Sequence, residues 1–370
     1  EVGRERVRVG DDAGGTRIDG VGHRVAVGRA VVRSRPRPNV VERATHVALV
    51  EVAADLGRAV EQVREGHTPR SAPRPYRLCG RTYFIAGAEG VAVSDRASSD
   101  PTVALPQVPV DDLRVDANVE RFRRRAADLS SEVDLAVFPE YALTGFAADD
   151  RLREAALPRD AAREQLESLA EAADAAVIAG YAERDGGDIY NAAAYVPPPD
   201  RSAGDGAVSD AVADRGGHAV YRKRHLWDEE SEWVDPGTDR VVVETPAGPT
   251  GLLTCYDLNF VAESAWFAER AVDALAVVGA WPADHAANWR LLCRARALDG
   301  VRWAVAAGRT GTAGGDRASG EATYAGNSLV ARPDGAVAAE LGRGTATLTA
   351  TLDRETLSAQ RELVGAVDEA

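Results

Sequence analysis

Residues Leu135-Ala136-Val137-Phe138-Pro139-Glu140 form a short apolar run that a proline closes and a carboxylate follows. The run has the length and composition of a buried strand, and Pro139 cannot donate the next hydrogen bond of a sheet. We therefore expect Glu140 at the edge of the strand, where its side chain can reach a cleft. Apolar residues recur at steps of three and four from Val115 to Leu129, which predicts an amphipathic helix before the strand.

The same alternation of short apolar runs and amphipathic segments continues along the chain. We predict a first strand at 102–110 and further helices at about 160–173, 262–272 and 286–300. Further short strands are predicted at 176–181, 191–196, 250–254, 275–279, 303–307 and 328–332. Alternation of this kind is typical of a layered α/β fold.

The first hundred residues have a different character. They are rich in Arg, Gly and Pro, and they hold 17 basic and 13 acidic residues in a chain whose formal net charge is −14. We predict an extension over 1–100 that is weakly ordered or lies upstream of the true translation start. A globular domain is predicted over 101–360, followed by a C-terminal tail over 361–370.

The composition excludes several classes of function. A strongly acidic surface repels nucleic acid and anionic membranes, and it is typical of salt adaptation. No apolar run approaches the length of about 18 to 20 residues that crosses a bilayer, so we expect a cytoplasmic protein. The three cysteines form no CxxC pair and the six histidines form no HxxxH pair, so we predict neither a cofactor nor a metal.

Lys223 is the only lysine among 44 basic residues, and it lies in Tyr221-Arg222-Lys223-Arg224-His225-Leu226. Arginine is a planar fork, whereas lysine is a compact point donor whose charge can be aimed at one oxygen. A catalytic site has this requirement more often than a scaffold does. A compositional accident remains the alternative, because a gene that replaces lysine by arginine can leave one lysine anywhere.

Cys255 directly follows the apolar run Gly251 to Thr254 and precedes a predicted helix. A turn between a strand and a helix is a position that exposes a nucleophile. The thiol needs a base, and a carboxylate close to an ammonium, such as Glu140 beside Lys223, could accept its proton. Without that context such a cysteine is most often a core residue, and we interpret Cys293 in this way.

Three blocks resemble the signature blocks of the carbon-nitrogen hydrolase (nitrilase) superfamily. They are 138–146, 221–226 with Pro236-Gly237, and 253–258. The similarity extends to Trp281-Pro282, to 294–298 and to 324–328, and it covers roughly residues 101 to 360. It implies a four-layer αββα sandwich that binds a small amide or carbamoyl substrate, without nucleic acid or membrane partners, as a homodimer or larger homo-oligomer.

The resemblance also implies a role for each residue. Glu140 would be the general base, Lys223 would stabilise the tetrahedral oxyanion, and Cys255 would be the covalent nucleophile. The backbone N–H of Tyr256 would be the second oxyanion donor. A second catalytic glutamate follows the lysine in many relatives, and Glu230 fits this position best.

Two assignments stay open after this resemblance, and one feature of the chain departs from the family. Glu232 is the alternative for the second glutamate. Trp281 lines the substrate pocket or belongs to the core. The family commonly has Phe-Pro-Glu and an arginine after the cysteine block, whereas this chain has Val261, Ala262 and Ala265 at the Pro, Glu and Arg positions. We therefore expect no ion pair there.

The resemblance implies hydrolysis of a non-peptide C–N bond through a cysteine thioester that releases ammonia. Cys255-Tyr256-Asp257 is similar to the amidase and carbamoylase branches, and Trp281-Pro282 resembles the omega-amidase type. An N-carbamoyl amine amidohydrolase is the first alternative and a nitrilase the second. An inactive binding or assembly module with the same fold is a further alternative.

Overall fold

The computed structural model describes residues 100–199, 217–313 and 322–365, together with the backbone of 76–78 and 81–83. The chain divides into two units, Glu1–Val93 and Ser94–Ala370. In the first unit, β1 (Tyr76–Leu78) pairs antiparallel with β2 (Arg81–Tyr83). The rest of the predicted N-terminal extension lies outside the described residues.

The second unit contains two large sheets. The strands of the first sheet are β3 (Thr102–Gln107), β4 (Leu135–Val137), β5 (Leu157–Pro158), β6 (Ala176–Asp185), β7 (Asp188–Val196), β8 (Ala219–Arg222) and β17 (Ala346–Thr351). Their order is β17-β3-β4-β6-β7-β8, with β5 paired beside β6. Strands β3, β4 and β6 are parallel, so their carboxyl ends lie at one edge of the sheet.

The second sheet repeats this plan. Its strands are β9 (Val242–Thr245), β10 (Gly248–Thr254), β11 (Ala274–Gly279), β12 (Trp303–Gly308), β15 (Leu329–Ala331) and β16 (Val337–Glu340). Their order is β16-β15-β12-β11-β10-β9, and the central strands β10, β11 and β12 are parallel. A separate antiparallel pair joins β13 (Thr312–Ala313) to β14 (Ala322–Thr323).

The two sheets pack face to face. Successive side chains of each strand point to opposite faces, so one face of each sheet contacts the other sheet and the opposite face contacts helices. Val103 and Leu105 of β3 share one apolar cluster with Val305 and Ala307 of β12. The intervening residues face helices: α1 (Val115–Ala127) and α3 (Arg159–Ala173) pack on the first sheet, and α4 (Val261–Ala268) and α5 (Ala286–Leu298) on the second. The predicted four-layer αββα sandwich is confirmed.

Most predicted elements are present within a few residues of their expected bounds, but the sequence missed several. Two short helices, α2 (Arg151–Ala155) and α6 (Arg354–Val364), were not expected, and α6 extends across residue 360. Strands β9, β16 and β17 were also missed. Strand β16 and most of β17 alternate partly buried with exposed positions and consist mainly of Ala, Thr and Glu, so they lack an apolar run.

None of the helices in the described part of the chain combines the length and the hydropathy that a membrane span requires.

Candidate active site

The ends of several strands bring the predicted site residues together. Glu140 follows β4, Lys223 follows β8 and Cys255 follows β10. The ammonium of Lys223 contacts Oε1 of Glu140 at 2.9 Å. Cys255 lies beside both, since the charges of Glu140 and Lys223 act on its thiol. The structure therefore places the three residues in one cluster, where they are at most 8% exposed.

Glu230 completes this cluster. It lies in a 3-10 turn, Asp228–Glu232, and its carboxylate points inward to contact the Lys223 ammonium at 2.7 Å. The backbone N–H of Trp227 also donates to Glu230, at 3.1 Å. Glu232, the alternative second glutamate, is exposed on the outer side of the same turn.

Two residues that the sequence did not single out hydrogen-bond to these carboxylates. The Nδ2 atom of Asn191 donates to Oε1 of Glu140 and to Oε1 of Glu230, both at 2.6 Å. The Tyr141 hydroxyl donates to Oε1 of Glu230 at 2.8 Å. A polar residue in the otherwise apolar sequence of β7 (Asp188–Val196) was the available signal for Asn191, because a buried amide needs partners.

The second sheet contributes a backbone donor as well. The N–H of Ala280, just after β11, donates to Oε2 of Glu140 at 2.6 Å. Glu140 therefore has partners from both sheets. A carboxylate that is held on both oxygens has a defined position, as a base must have when it accepts a proton from a neighbouring group.

The backbone at Cys255 is strained. Its φ angle is +47°, a left-handed conformation that non-glycine residues adopt at a cost. The residue begins a 3-10 helix, Cys255–Asn259, immediately after β10. Cys255 therefore lies at a sharp turn between a strand and a helix, the position that the sequence pattern predicted.

Asp257 joins the turn of the cysteine to the segment of the lysine. Its buried carboxylate accepts hydrogen bonds from the Tyr221 hydroxyl at 2.6 Å and the Thr254 N–H at 3.0 Å. It also accepts the backbone N–H of His225 at 3.1 Å and contacts Nδ1 of the same residue at 2.9 Å. Hydrogen bonds to Asp257 therefore connect the segment around Lys223 with the turn that begins at Cys255.

Val261, Ala262 and Ala265 carry no charge, but a different ion pair lies near this turn. Glu263 is buried and pairs with Arg240 at 2.8 Å and with Arg224. The carboxylate stands one position after Ala262, and its arginines come from other segments of the chain. An alignment of the residues that follow Cys255 with the family pattern, made without gaps, could not reveal a pairing with arginines from other segments.

The two remaining predicted residues have different surroundings. Tyr256 is partly exposed, and its ring packs edge-on against Phe260 at 5.4 Å between centroids. Trp281 is almost fully buried, donates its indole N–H to the His285 carbonyl at 2.9 Å and lies 5.6 Å from the Trp289 ring. The side chain of Trp281 is therefore held within the core of the second sheet and α5.

Burial and neighbouring charges shift the pKa values of Cys255, Lys223 and Glu230. Burial raises the pKa of the Cys255 thiol well above its usual range, and Glu140 raises it further although Lys223 opposes both. Burial would lower the pKa of Lys223, but Glu140 and Glu230 outweigh it and the pKa is raised. For Glu230, burial is outweighed by Lys223 and by hydrogen bonds, so its pKa is lowered.

These pKa shifts favour a neutral Cys255 thiol, a charged Lys223 ammonium and an ionised Glu230. Such a thiol becomes a nucleophile only when a neighbouring base removes its proton, and Glu140 is adjacent. The fixed ammonium can then stabilise negative charge that develops on the atom under attack. The arrangement suits nucleophilic attack on a polarised carbon.

A cavity of about 500 Å³ lies elsewhere, beside β7, β8 and α3. Residues that line it include Arg159, Tyr181, Tyr190, Arg222 and Asp239. The side chains of Glu140, Lys223, Glu230 and Cys255 are absent from its lining.

Comparisons with known proteins agree with this fold. A family model described as carbon-nitrogen hydrolase matches residues 102–362, which span both sheets. The chain is 30% identical over 247 residues to an (R)-stereoselective amidase of a Pseudomonas species, which covers 66% of this chain and 82% of that protein. It is also 30% identical over 212 residues to an omega-amidase of Xenopus tropicalis, which covers 54% of this chain and 70% of that protein.

A solved structure shows the same architecture. A CN-hydrolase superfamily protein of Xanthomonas campestris superimposes with a TM-score of 0.63 at 23% identity, covering 74% of this chain and 98% of that chain. At this level of identity the similarity supports the four-layer fold.

Gly180 on β6 leaves room for the turn that carries Glu140, and its substitution should disturb that turn. A Cβ atom at 180 would lie 2.6 Å from the Tyr141 nitrogen and 2.7 Å from Cα of Glu140. We expect Gly180→Ala to lower the free energy of unfolding by about 1–3 kcal/mol, measured by urea denaturation, because backbone atoms must move. Gly187→Ala is the matched control, since no atom lies within 4 Å of its Cβ. Equal stability of the two variants would contradict this packing argument.

Proposed function

The chain belongs to the carbon-nitrogen hydrolase family, and from this premise we propose that Cys255, Lys223 and Glu140 cleave the C–N bond of a small amide through a thioester. Family membership makes the protein a hydrolase that acts on carbon-nitrogen bonds other than peptide bonds. The observation that supports the proposed site is the buried contact of Glu140 with Lys223 at 2.9 Å, beside the thiol of Cys255.

The proposed reaction has two halves. The Cys255 sulfur attacks the amide carbon while Glu140 takes the thiol proton, and the oxyanion is stabilised by Lys223 and the backbone N–H of Tyr256. The C–N bond then breaks as Glu140 returns the proton to the nitrogen, and ammonia leaves. Water, deprotonated by Glu140, attacks the thioester, which gives the carboxylic acid and regenerates the thiol.

Glu230 supports the ammonium in this proposal. Its carboxylate contacts the Lys223 ammonium at 2.7 Å and so balances the charge when Glu140 becomes protonated. Lysine then remains charged throughout the cycle, as a donor to the oxyanion must.

Amides are the proposed substrates, because the relatives named above include an amidase and an omega-amidase. Among amides we place the ω-amides of dicarboxylates first, on the resemblance of Trp281-Pro282 to the omega-amidase type. N-carbamoyl amines come next and nitriles after them. An inactive binding module with this fold is the contrasting alternative, and it predicts no turnover of any of these compounds.

An ammonia-release screen tests the proposed function. Small amides, N-carbamoyl amines and nitriles are incubated with the protein at molar salt, and released ammonia is measured. We expect release from at least one amide, complete loss in Cys255→Ala, and unchanged release in Cys293→Ala, whose thiol is fully buried in α5. Undiminished release in the Cys255→Ala variant would eliminate the mechanism.

Substitution of the single lysine separates charge from shape. Lys223→Arg keeps a positive charge, but the planar fork is too large for a site that is 2% exposed between two carboxylates. We expect kcat for ammonia release to fall at least about 100-fold, as for loss of an oxyanion donor. Arg124→Lys on the exposed face of α1 is the control. A Lys223→Arg variant that keeps more than a tenth of kcat would show that a positive charge alone suffices.

We also propose that the protein is a homo-oligomer, and that α5 contributes to the interface. Leu291 and Leu298 lie seven residues apart on α5 and are 63% and 52% exposed, while Val261 at the start of α4 is 65% exposed. A contiguous exposed apolar patch marks an association surface, and we propose that these side chains contribute to one. A cytoplasmic location and salt adaptation stay predictions from the sequence.

Light scattering after size-exclusion chromatography tests the interface. We expect a dimer or larger species for the wild type and a smaller species for Leu291→Lys, because a charge at a buried contact weakens association. Arg124→Glu, an exposed change of charge on α1, should leave the mass unchanged. A monomeric wild type in both high and low salt would refute the assembly.

A further inference from the structure

The buried cluster has more negative than positive charge. Glu140 and Glu230 both contact Lys223, so two carboxylates share one ammonium inside the protein. Like charges that share a buried site favour protonation of one of them. A protonated Glu140 could not accept the thiol proton, so the charge must be balanced in another way.

Asn191 is placed to provide that balance. Its single Nδ2 atom donates to Oε1 of Glu140 and to Oε1 of Glu230, at 2.6 Å in both cases. An amide N–H stabilises the charged form of each carboxylate without adding a charge. Asn191 therefore compensates both acids at once, as Lys223 does from its own side.

The sheet fixes the position of this amide. Asn191 is fully buried in β7, opposite Ala182 of β6, and its carbonyl accepts the backbone N–H of Lys223 at 2.7 Å. The same residue thus holds the backbone of the lysine and the side chains of both glutamates. The rotation of its amide is also determined, because Oδ1 in place of Nδ2 would face two carboxylates.

The other end of the amide indicates that this orientation is required. Oδ1 of Asn191 is buried and has no hydrogen-bond partner within the described residues. A buried acceptor without a partner is costly. The Nδ2 atom donates to both carboxylates although this orientation leaves Oδ1 without a partner.

Other charged or titratable groups also face the pair. Tyr141 donates to Glu230, Cys255 lies beside Glu140, and Arg309 acts on Glu140 from the end of β12. Arg309 already pairs with Asp112 at 2.7 Å. Asn191 remains the neutral side chain that contacts both carboxylates in the described part of the chain.

We propose that Asn191 is a positioning residue that stabilises the shared negative charge of the Glu140 and Glu230 pair and keeps both carboxylates aligned on Lys223. The predicted effect of Asn191 on turnover rests on the proposed function. Its effect on the thiol can be measured without any amide substrate. Asn191 does not touch the reacting atoms, so its loss should change kcat and the pH profile more than KM.

Two substitutions of nearly the same size test this role. Asn191→Leu removes both donors, and Asn191→Asp replaces the amide by a third carboxylate. We expect kcat/KM to fall about 10- to 100-fold in Asn191→Leu, the effect of losing hydrogen bonds to charged groups, and further in Asn191→Asp. The acid limb of the pH profile should move to higher pH by about one unit, because the carboxylates lose a donor.

A second readout keeps this test separate from the proposed function. The rate at which iodoacetamide alkylates Cys255 is measured against pH and assigned by peptide mass spectrometry. The same upward shift of the acid limb is expected in this profile. If the wild type releases no ammonia, the proposed function fails, whereas the alkylation profile still tests Asn191.

The matched control is Asn118→Leu. Asn118 is equally buried, but its hydrogen bonds go to the backbone of Asp111 and Leu143 and to Arg121. It should lose stability without a shift of either profile. Asn191→Ser, which keeps one donor, should give an intermediate shift, and it replaces Asn191→Leu should that variant fail to fold. Profiles that superimpose on the wild type in folded Asn191 variants would overturn the proposal.

Discussion

The structure depends on one buried ammonium between two carboxylates. Removing an ion from water costs several kcal/mol, and a buried pair is tolerated only when its geometry and remaining hydrogen bonds are good. Lys223 meets Glu140 and Glu230 at 2.9 and 2.7 Å with all three side chains almost fully buried. Loss of Lys223 would leave two buried carboxylates without an ammonium, so the surrounding chain is constrained to keep this residue.

The other contacts of the site follow from this constraint. The four carboxylate oxygens receive donors from Lys223, Asn191, Tyr141 and the backbone of Ala280 and Trp227. These donors come from separate segments, and Ala280 comes from the second sheet. The apolar layer between the two sheets therefore determines the geometry of the polar cluster, although none of its side chains is reactive.

The sequence carried enough information to predict the layers and the three central residues. Short apolar runs that end at Pro139 or at Cys255 identified strand ends, and an isolated lysine among arginines identified Lys223. Asn191 and Glu263 were harder to assign, since their partners lie 39 and 51 residues away for Asn191 and 23 and 39 for Glu263. Local patterns report burial and periodicity, whereas such partners become neighbours only after the sheets have formed. The half-exposed strands β16 and β17 were missed because their alternation involves Ala and Thr rather than large apolar residues.

The isolation of Lys223 has a spectroscopic consequence. The chain has no other ε-amino group, and this one is almost completely shielded from solvent. Protein labelled with nitrogen-15 in lysine would contain a single side-chain ammonium, located between Glu140 and Glu230. Its resonance would report on the charge state and hydrogen bonding of that cluster directly, without assignment and without interference from the protein surface.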